Sequence, residues 1–163
     1  MEQQDIMTLV QAGIVQVFSF PQPARVKRSF FEKEKERIQN LANRANNSKD
    51  KNVFEIYLAL EQLRPGSVRH INEVLRDQVS KKDREIDIIT DKCVYEIKSG
   101  KAKHKVKQFS AQLEFAKSRN KDYVIYSPGS RKHQVDVLKS KGFNVFTSID
   151  DLVKYERTRK WKI

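Results

Sequence analysis

The run Arg84-Glu-Ile-Asp-Ile-Ile-Thr-Asp-Lys-Cys-Val-Tyr-Glu-Ile-Lys98 constrains this chain more than any other segment. Two apolar runs, residues 85–90 and 93–98, flank Asp91-Lys92, a pattern that predicts a β-hairpin with a short loop. That register pairs Thr90 with Cys93, sets Asp87 opposite Glu96 and sets Glu85 opposite Lys98. Side chains alternate faces along a strand, so Glu96 and Lys98 share a face. Paired residues have Cβ atoms roughly 4.5–5.5 Å apart. Two carboxylates that close repel each other unless a proton or a cation lies between them. Asp87, Glu96 and Lys98 therefore make a candidate divalent-metal site. The alternative is a solvated ribbon face on which Glu85 and Lys98 form an ordinary cross-strand ion pair.

The rest of the chain narrows the choice of ligand and partner. Its 163 residues suffice for one domain with a core and an N-terminal extension. Lys and Arg number 33 against 21 Asp and Glu, a formal charge of +12. Such a balance points to a polyanionic partner, nucleic acid ahead of an acidic protein. The single cysteine, Cys93, excludes a disulfide framework and a CxxC zinc motif. His70, His104 and His133 are scattered without ligand spacing. A metal here is expected to be held by oxygen, which suits Mg2+ or Mn2+ better than Zn2+. The most apolar stretch, residues 6–20, carries Thr8, Gln11, Gln16 and Ser19 and is too short for a membrane span. It follows acidic residues, unlike a signal peptide, and no sequence signal places the chain outside the cytoplasm.

The pattern of elements predicts an accessory segment over residues 1–51 and an α/β domain over 52–163. In the first, an apolar patch ends at Pro21 and Pro23, and a charged helical run follows over about 29–45. Asn46-Asn-Ser-Lys-Asp50 is a polar break. From residue 53 a helix is expected to 63, with Phe54, Tyr57, Leu58 and Glu61 on one face and Glu55 beside it, and Pro65-Gly66 ends it. Residues 68–79 fit either a helix or a strand. After the hairpin, Val106, Phe109, Leu113 and Ala116 mark a helix over about 104–118. A strand over 122–127, a helix over 131–140 capped by Gly142, a strand over 143–147 and a helix opening at Ser148 complete the order. The whole describes a mixed sheet flanked by helices. Gln108 and Gln112 lie at the margin of the first of these helices' core face. Lys98, Lys101, Lys103, Lys105 and Lys107 run out of the hairpin into it. A charge run of this kind is commonly a solvated face, but here it leaves a candidate metal site where a phosphate backbone would need neutralising.

A helical Glu, then Asp, then Glu-x-Lys on a hairpin, then a helix, resembles the PD-(D/E)xK nuclease superfamily. Asp87, Glu96 and Lys98 match the motif, Glu55 the helix-one glutamate and Gln112 a glutamine of the following helix. The resemblance covers roughly residues 50–147; Ile86 stands where the motif's name has proline. It implies a restriction-endonuclease-like αβββαβ core and phosphodiester hydrolysis. It also implies a metal held by Asp87, Glu96, the Ile97 carbonyl and Glu55, with Lys101, Lys103, Lys105, Lys107 and Gln108 on the nucleic acid. The small size and the basic 157–162 tail are similar to the nuclease domains of bacterial contact-dependent growth inhibition and other polymorphic toxins. Such a domain acts in the cytoplasm after delivery from a secreted precursor, cuts tRNA or DNA, and is bound by an acidic immunity protein. A dimeric junction-resolving, repair or restriction nuclease is the second enzyme reading. A non-catalytic nucleic-acid-binding module is a third, disfavoured because a binder has no use for paired carboxylates facing phosphate.

Overall fold

A computed structural model describes residues 25–99 and 106–159. They form a mixed α/β fold with five helices and a five-stranded mixed sheet, in two compact units, Met1–Val68 and Arg69–Ile163. The apolar patch at 6–20 lies outside the described residues. Among them, no helix is long and apolar enough to cross a membrane.

In the first unit, α1 (Arg25–Asn46) packs against α2 (Lys51–Leu63). Of residues 46–50, expected as a break, 47–50 are one: Asp50 is extended and its carboxylate accepts the Asn52 N–H at 2.9 Å, starting α2. Asp50→Ala is expected to cost about 1 kcal/mol, read as faster amide exchange at the start of α2. The buried face of α2 is turned from the expected one. Val53, Ile56, Tyr57, Leu60 and Glu61 are buried, whereas Phe54 and Leu58 are half-buried and Glu55 is exposed. Glu61 is inside because it accepts the N–H groups of Gly66, at 2.9 Å, and of Val68, at 3.4 Å. Arg37 donates to the carbonyls of the same two residues, at 3.1 and 2.8 Å. These bonds satisfy the backbone after the Pro65-Gly66 turn, where Gly66 has φ +80°. The expected boundary after residue 51 falls within this unit.

The sheet runs in the order β1 (Val68–Asp77), β2 (Lys82–Thr90), β3 (Cys93–Ile97), β4 (Asp122–Tyr126), β5 (Asn144–Phe146). The ambiguous segment is thus a strand. Its buried positions do not alternate cleanly and Asn72 takes φ +49°, which explains its unclear period. The turn into β2 is fixed by Asp77, which accepts from the N–H groups of Val79 and Ser80, the Ser80 hydroxyl and Arg84 Nε at 2.6 Å. The Arg84 guanidinium, with these other donors, holds the Asp77 carboxyl well below the usual range. β2 and β3 are antiparallel, whereas β3, β4 and β5 are mutually parallel. Parallel neighbours need crossovers, supplied by α3 (Val106–Ser118) and α4 (Lys132–Ser140).

Both crossover helices bury their apolar faces against one side of the sheet. Phe109, Phe115 and Ala116 of α3 and Val135 and Leu138 of α4 share a core with Val94, Tyr123, Ile125 and Val145. Gly142, with φ +90°, ends α4: its N–H reaches the Lys139 carbonyl and that of Phe143 reaches Leu138. α5 (Ile149–Thr158), capped by the Ser148 hydroxyl on the Asp151 N–H as expected, covers the other side. There Glu156, 1% exposed, accepts the Tyr95 hydroxyl at 2.6 Å, and Arg159 pairs with Glu156, Asp122 and the Cys93 Sγ. Arg159, part of the basic 157–162 tail, is therefore turned inward; residues 160–162 of that tail lie outside the described residues. Cys93 is core, with its thiol pushed up to about 12 by burial and by Glu156.

Candidate functional site

The hairpin adopts the expected register, with Ile88 beside Tyr95 and Ile89 beside Val94. One step further, at Asp87 and Glu96, the ladder gives way. The Ile97 N–H, which would seek a backbone carbonyl on β2, donates to Asp87 Oδ2 at 2.8 Å. The aspartate side chain thus takes the place of a strand partner, and the two strands part at the candidate site. In extended backbone the N–H and C=O of one residue face the same neighbour. The Ile97 carbonyl consequently faces the Asp87 side, while the Lys98 N–H bonds Tyr126 on β4.

Glu96 lies on the sheet face covered by α3 and is 5% exposed. A carboxylate that deep requires donors, and it has them. Lys98 Nζ stands 3.0 Å from Oε1, Gln112 Nε2 2.9 Å from Oε2, and Gln108 Nε2 a longer 3.5 Å from Oε1. Lys98 therefore pairs with Glu96, not across the strands with the exposed Glu85 as in the alternative ribbon reading. Its ammonium also sits 5.8 Å from the centre of the Phe109 ring. Gln112 is 3% exposed and its Oε1 accepts the hydroxyl of Tyr123 on β4. Burial, with Glu96 and Asp87 nearby, drives the pKa of the Tyr123 hydroxyl far above its ordinary value, so it remains a donor.

Asp87 is half-buried beside Glu96. Burial first, and the Glu96 charge second, raise the Asp87 carboxyl from 3.8 to about 7, against the opposing Ile97 N–H and Lys98. Two carboxyls so placed can share a proton, and a cation bound by both would take that proton's place.

Six of the expected site residues are thus assembled on one unit: Asp87, Glu96, Ile97, Lys98, Gln108 and Gln112. Glu55 is on α2 of the first unit and exposed. Lys107 is exposed on α3, while Lys101, Lys103 and Lys105 lie outside the described residues. Tyr123 was not expected in the site. Its register, opposite Val94 on the next strand, follows from a parallel pairing that no loop length fixes. Among the described residues no three His, Cys, Asp or Glu side chains gather around one point. The donor set is two carboxylates and a carbonyl, all hard oxygen ligands. Mg2+ suits such a partial set because it keeps several of its waters and takes one or two carboxylates.

Comparison with protein-family models, curated proteins and solved structures gives no significant match.

Proposed function

We propose that the chain is a metal-dependent nuclease of the PD-(D/E)xK type, hydrolysing phosphodiester bonds of nucleic acid, with tRNA ranked ahead of DNA. The observation that carries this reading is the half-buried Asp87 carboxyl beside the buried Glu96 carboxylate, with Lys98 on Glu96 at 3.0 Å. A purely structural ribbon gains nothing from two adjacent carboxylates, one of which must keep a proton. The order helix, three strands, helix, strand, from α2 to β4, supports a restriction-endonuclease-like core.

On this reading, Asp87, Glu96 and the Ile97 carbonyl hold Mg2+ or Mn2+. The ion's contribution is to acidify a bound water and to polarise the scissile phosphate. Lys98 spends one ammonium donor on Glu96 and has two left, enough to orient the attacking water or to meet charge building on a phosphoryl oxygen. Gln112 holds Glu96, and Gln108 and Lys107 lie on the same helix where a backbone phosphate would pass. The water oxygen would bond to phosphorus and give up a proton to solvent, the bond to the leaving oxygen would break, and that oxygen would take up a proton from solvent. A net charge of +12 favours the polyanionic substrate and equally an acidic immunity protein that would cover this site.

The test is to incubate the purified protein with total tRNA and with plasmid DNA, with Mg2+, with Mn2+ and with EDTA. Cleavage of either substrate that EDTA abolishes is the expected result. No cleavage of either in both metals, or cleavage unaffected by EDTA, would overturn the proposal.

A further inference from the structure

A line of hydrogen bonds crosses the interior from β4 to the candidate ligand. The Tyr123 hydroxyl donates to Gln112 Oε1, and Gln112 Nε2 donates to Glu96 Oε2 at 2.9 Å. All three residues are within 5% of full burial. An amide side chain can turn end for end, and in the other sense its oxygen would face the Glu96 carboxylate. The Glu96 carboxylate, which only accepts, disfavours that alternative, and in the sense that remains the Tyr123 hydroxyl gives the amide oxygen its donor. The Tyr123 ring is itself held edge-on by Phe143, at 6.3 Å between centroids, and Asn144 Nδ2 reaches the Tyr123 carbonyl at 3.4 Å. The hydroxyl therefore has a fixed origin on a central strand.

We infer that Tyr123 is a positioning residue for the metal site, acting through Gln112 to fix the direction in which Glu96 presents its oxygens. Glu96 Oε2 is held by Gln112 and Oε1 by Lys98, so the carboxylate's rotation is set from both ends. Groups one step behind a metal ligand orient it, and their loss lowers affinity by about 10–100-fold. The inference rests on the nuclease reading and adds to it a residue that contacts neither metal nor substrate.

The test measures Mn2+ affinity by calorimetry, and the Mg2+ dependence of cleavage, for the wild type, Tyr123→Phe, Gln112→Leu and the double variant. Tyr123→Phe keeps the packed ring and removes the hydroxyl alone. The Mn2+ dissociation constant is expected to rise about tenfold, with a matching rise in the Mg2+ needed for half-maximal cleavage and an unchanged KM for nucleic acid. The double variant is expected to bind Mn2+ no more weakly than Gln112→Leu, because the hydroxyl acts only through that amide. Wild-type Mn2+ affinity in Tyr123→Phe would overturn the inference while the nuclease reading stands, and so would losses that multiply in the double variant. Should Tyr123→Phe not fold, Gln112→Leu breaks the same line from its other end, and unchanged affinity there overturns the inference equally. A wild type that neither binds Mn2+ nor cleaves fails the nuclease reading and takes the inference with it.

Discussion

Asp87→Ala, Glu96→Ala and Lys98→Ala are each expected to lower cleavage by about 10²–10⁴-fold, with the fold retained. The three losses have different causes, and their side effects should differ accordingly. Lys98→Ala removes the cation 3.0 Å from a carboxylate that is 5% exposed. Glu96 is then left with amide donors alone beside Asp87, so this variant should also melt earlier without metal. Glu96→Ala strands the Gln112 amide and the Lys98 ammonium, and Glu96→Gln is the gentler control. Asp87→Ala frees the Ile97 N–H but ends the repulsion between the carboxylates, so its melting temperature should change least. Cleavage assays beside circular dichroism melts check both halves of the expectation. Full EDTA-sensitive cleavage in all three folded variants would remove the site from the mechanism.

The order of elements was legible because local rules govern it. The loop at Asp91-Lys92 fixes the hairpin register, so the proximity of Asp87 and Glu96 follows from counting along the chain. Ser148 and Gly142 announced helix ends through capping chemistry that depends only on neighbours in sequence. What was not legible depends on contacts between distant segments. Tyr123 enters the site through a parallel pairing whose crossover does not set a register. Glu61 was placed on the inner face of α2 by its spacing, but its partners, the N–H groups of Gly66 and Val68, are supplied by the turn that follows and are not given by that spacing. The inward turn of Arg159 was not legible either, since nothing nearby in sequence reveals that Glu156, Asp122 and Cys93 converge on it.

The stability of the metal-free protein should fall as pH rises through neutrality, and Asp87 should be the reason. Its carboxyl is raised from an ordinary 3.8 to about 7 in the folded chain, first by burial and then by Glu96. The folded state therefore keeps this proton at pH values where the unfolded chain has released it. A group of that kind favours folding fully below about pH 4, and the advantage is lost as pH climbs to about 7 and beyond. Each pKa unit corresponds to about 1.4 kcal/mol. The total would reach about 4 kcal/mol if Asp87 alone carried the shift, and it is smaller because the proton is shared with Glu96. Asp87→Asn, which cannot ionise, should accordingly melt about equally with the wild type at pH 4 and progressively higher than it up to pH 8. Mn2+ should close the gap at pH 8 by stabilising the wild type and not the variant, because the ion takes the place of the proton. Cleavage should show the same competition, with an acidic limb near pH 7 that moves to lower pH as Mn2+ is raised. Melting curves of wild type and Asp87→Asn that stay parallel from pH 5 to 8 would mean that the two carboxylates do not share a proton. The chemical argument for a cation between them would then be gone, whatever the hairpin geometry.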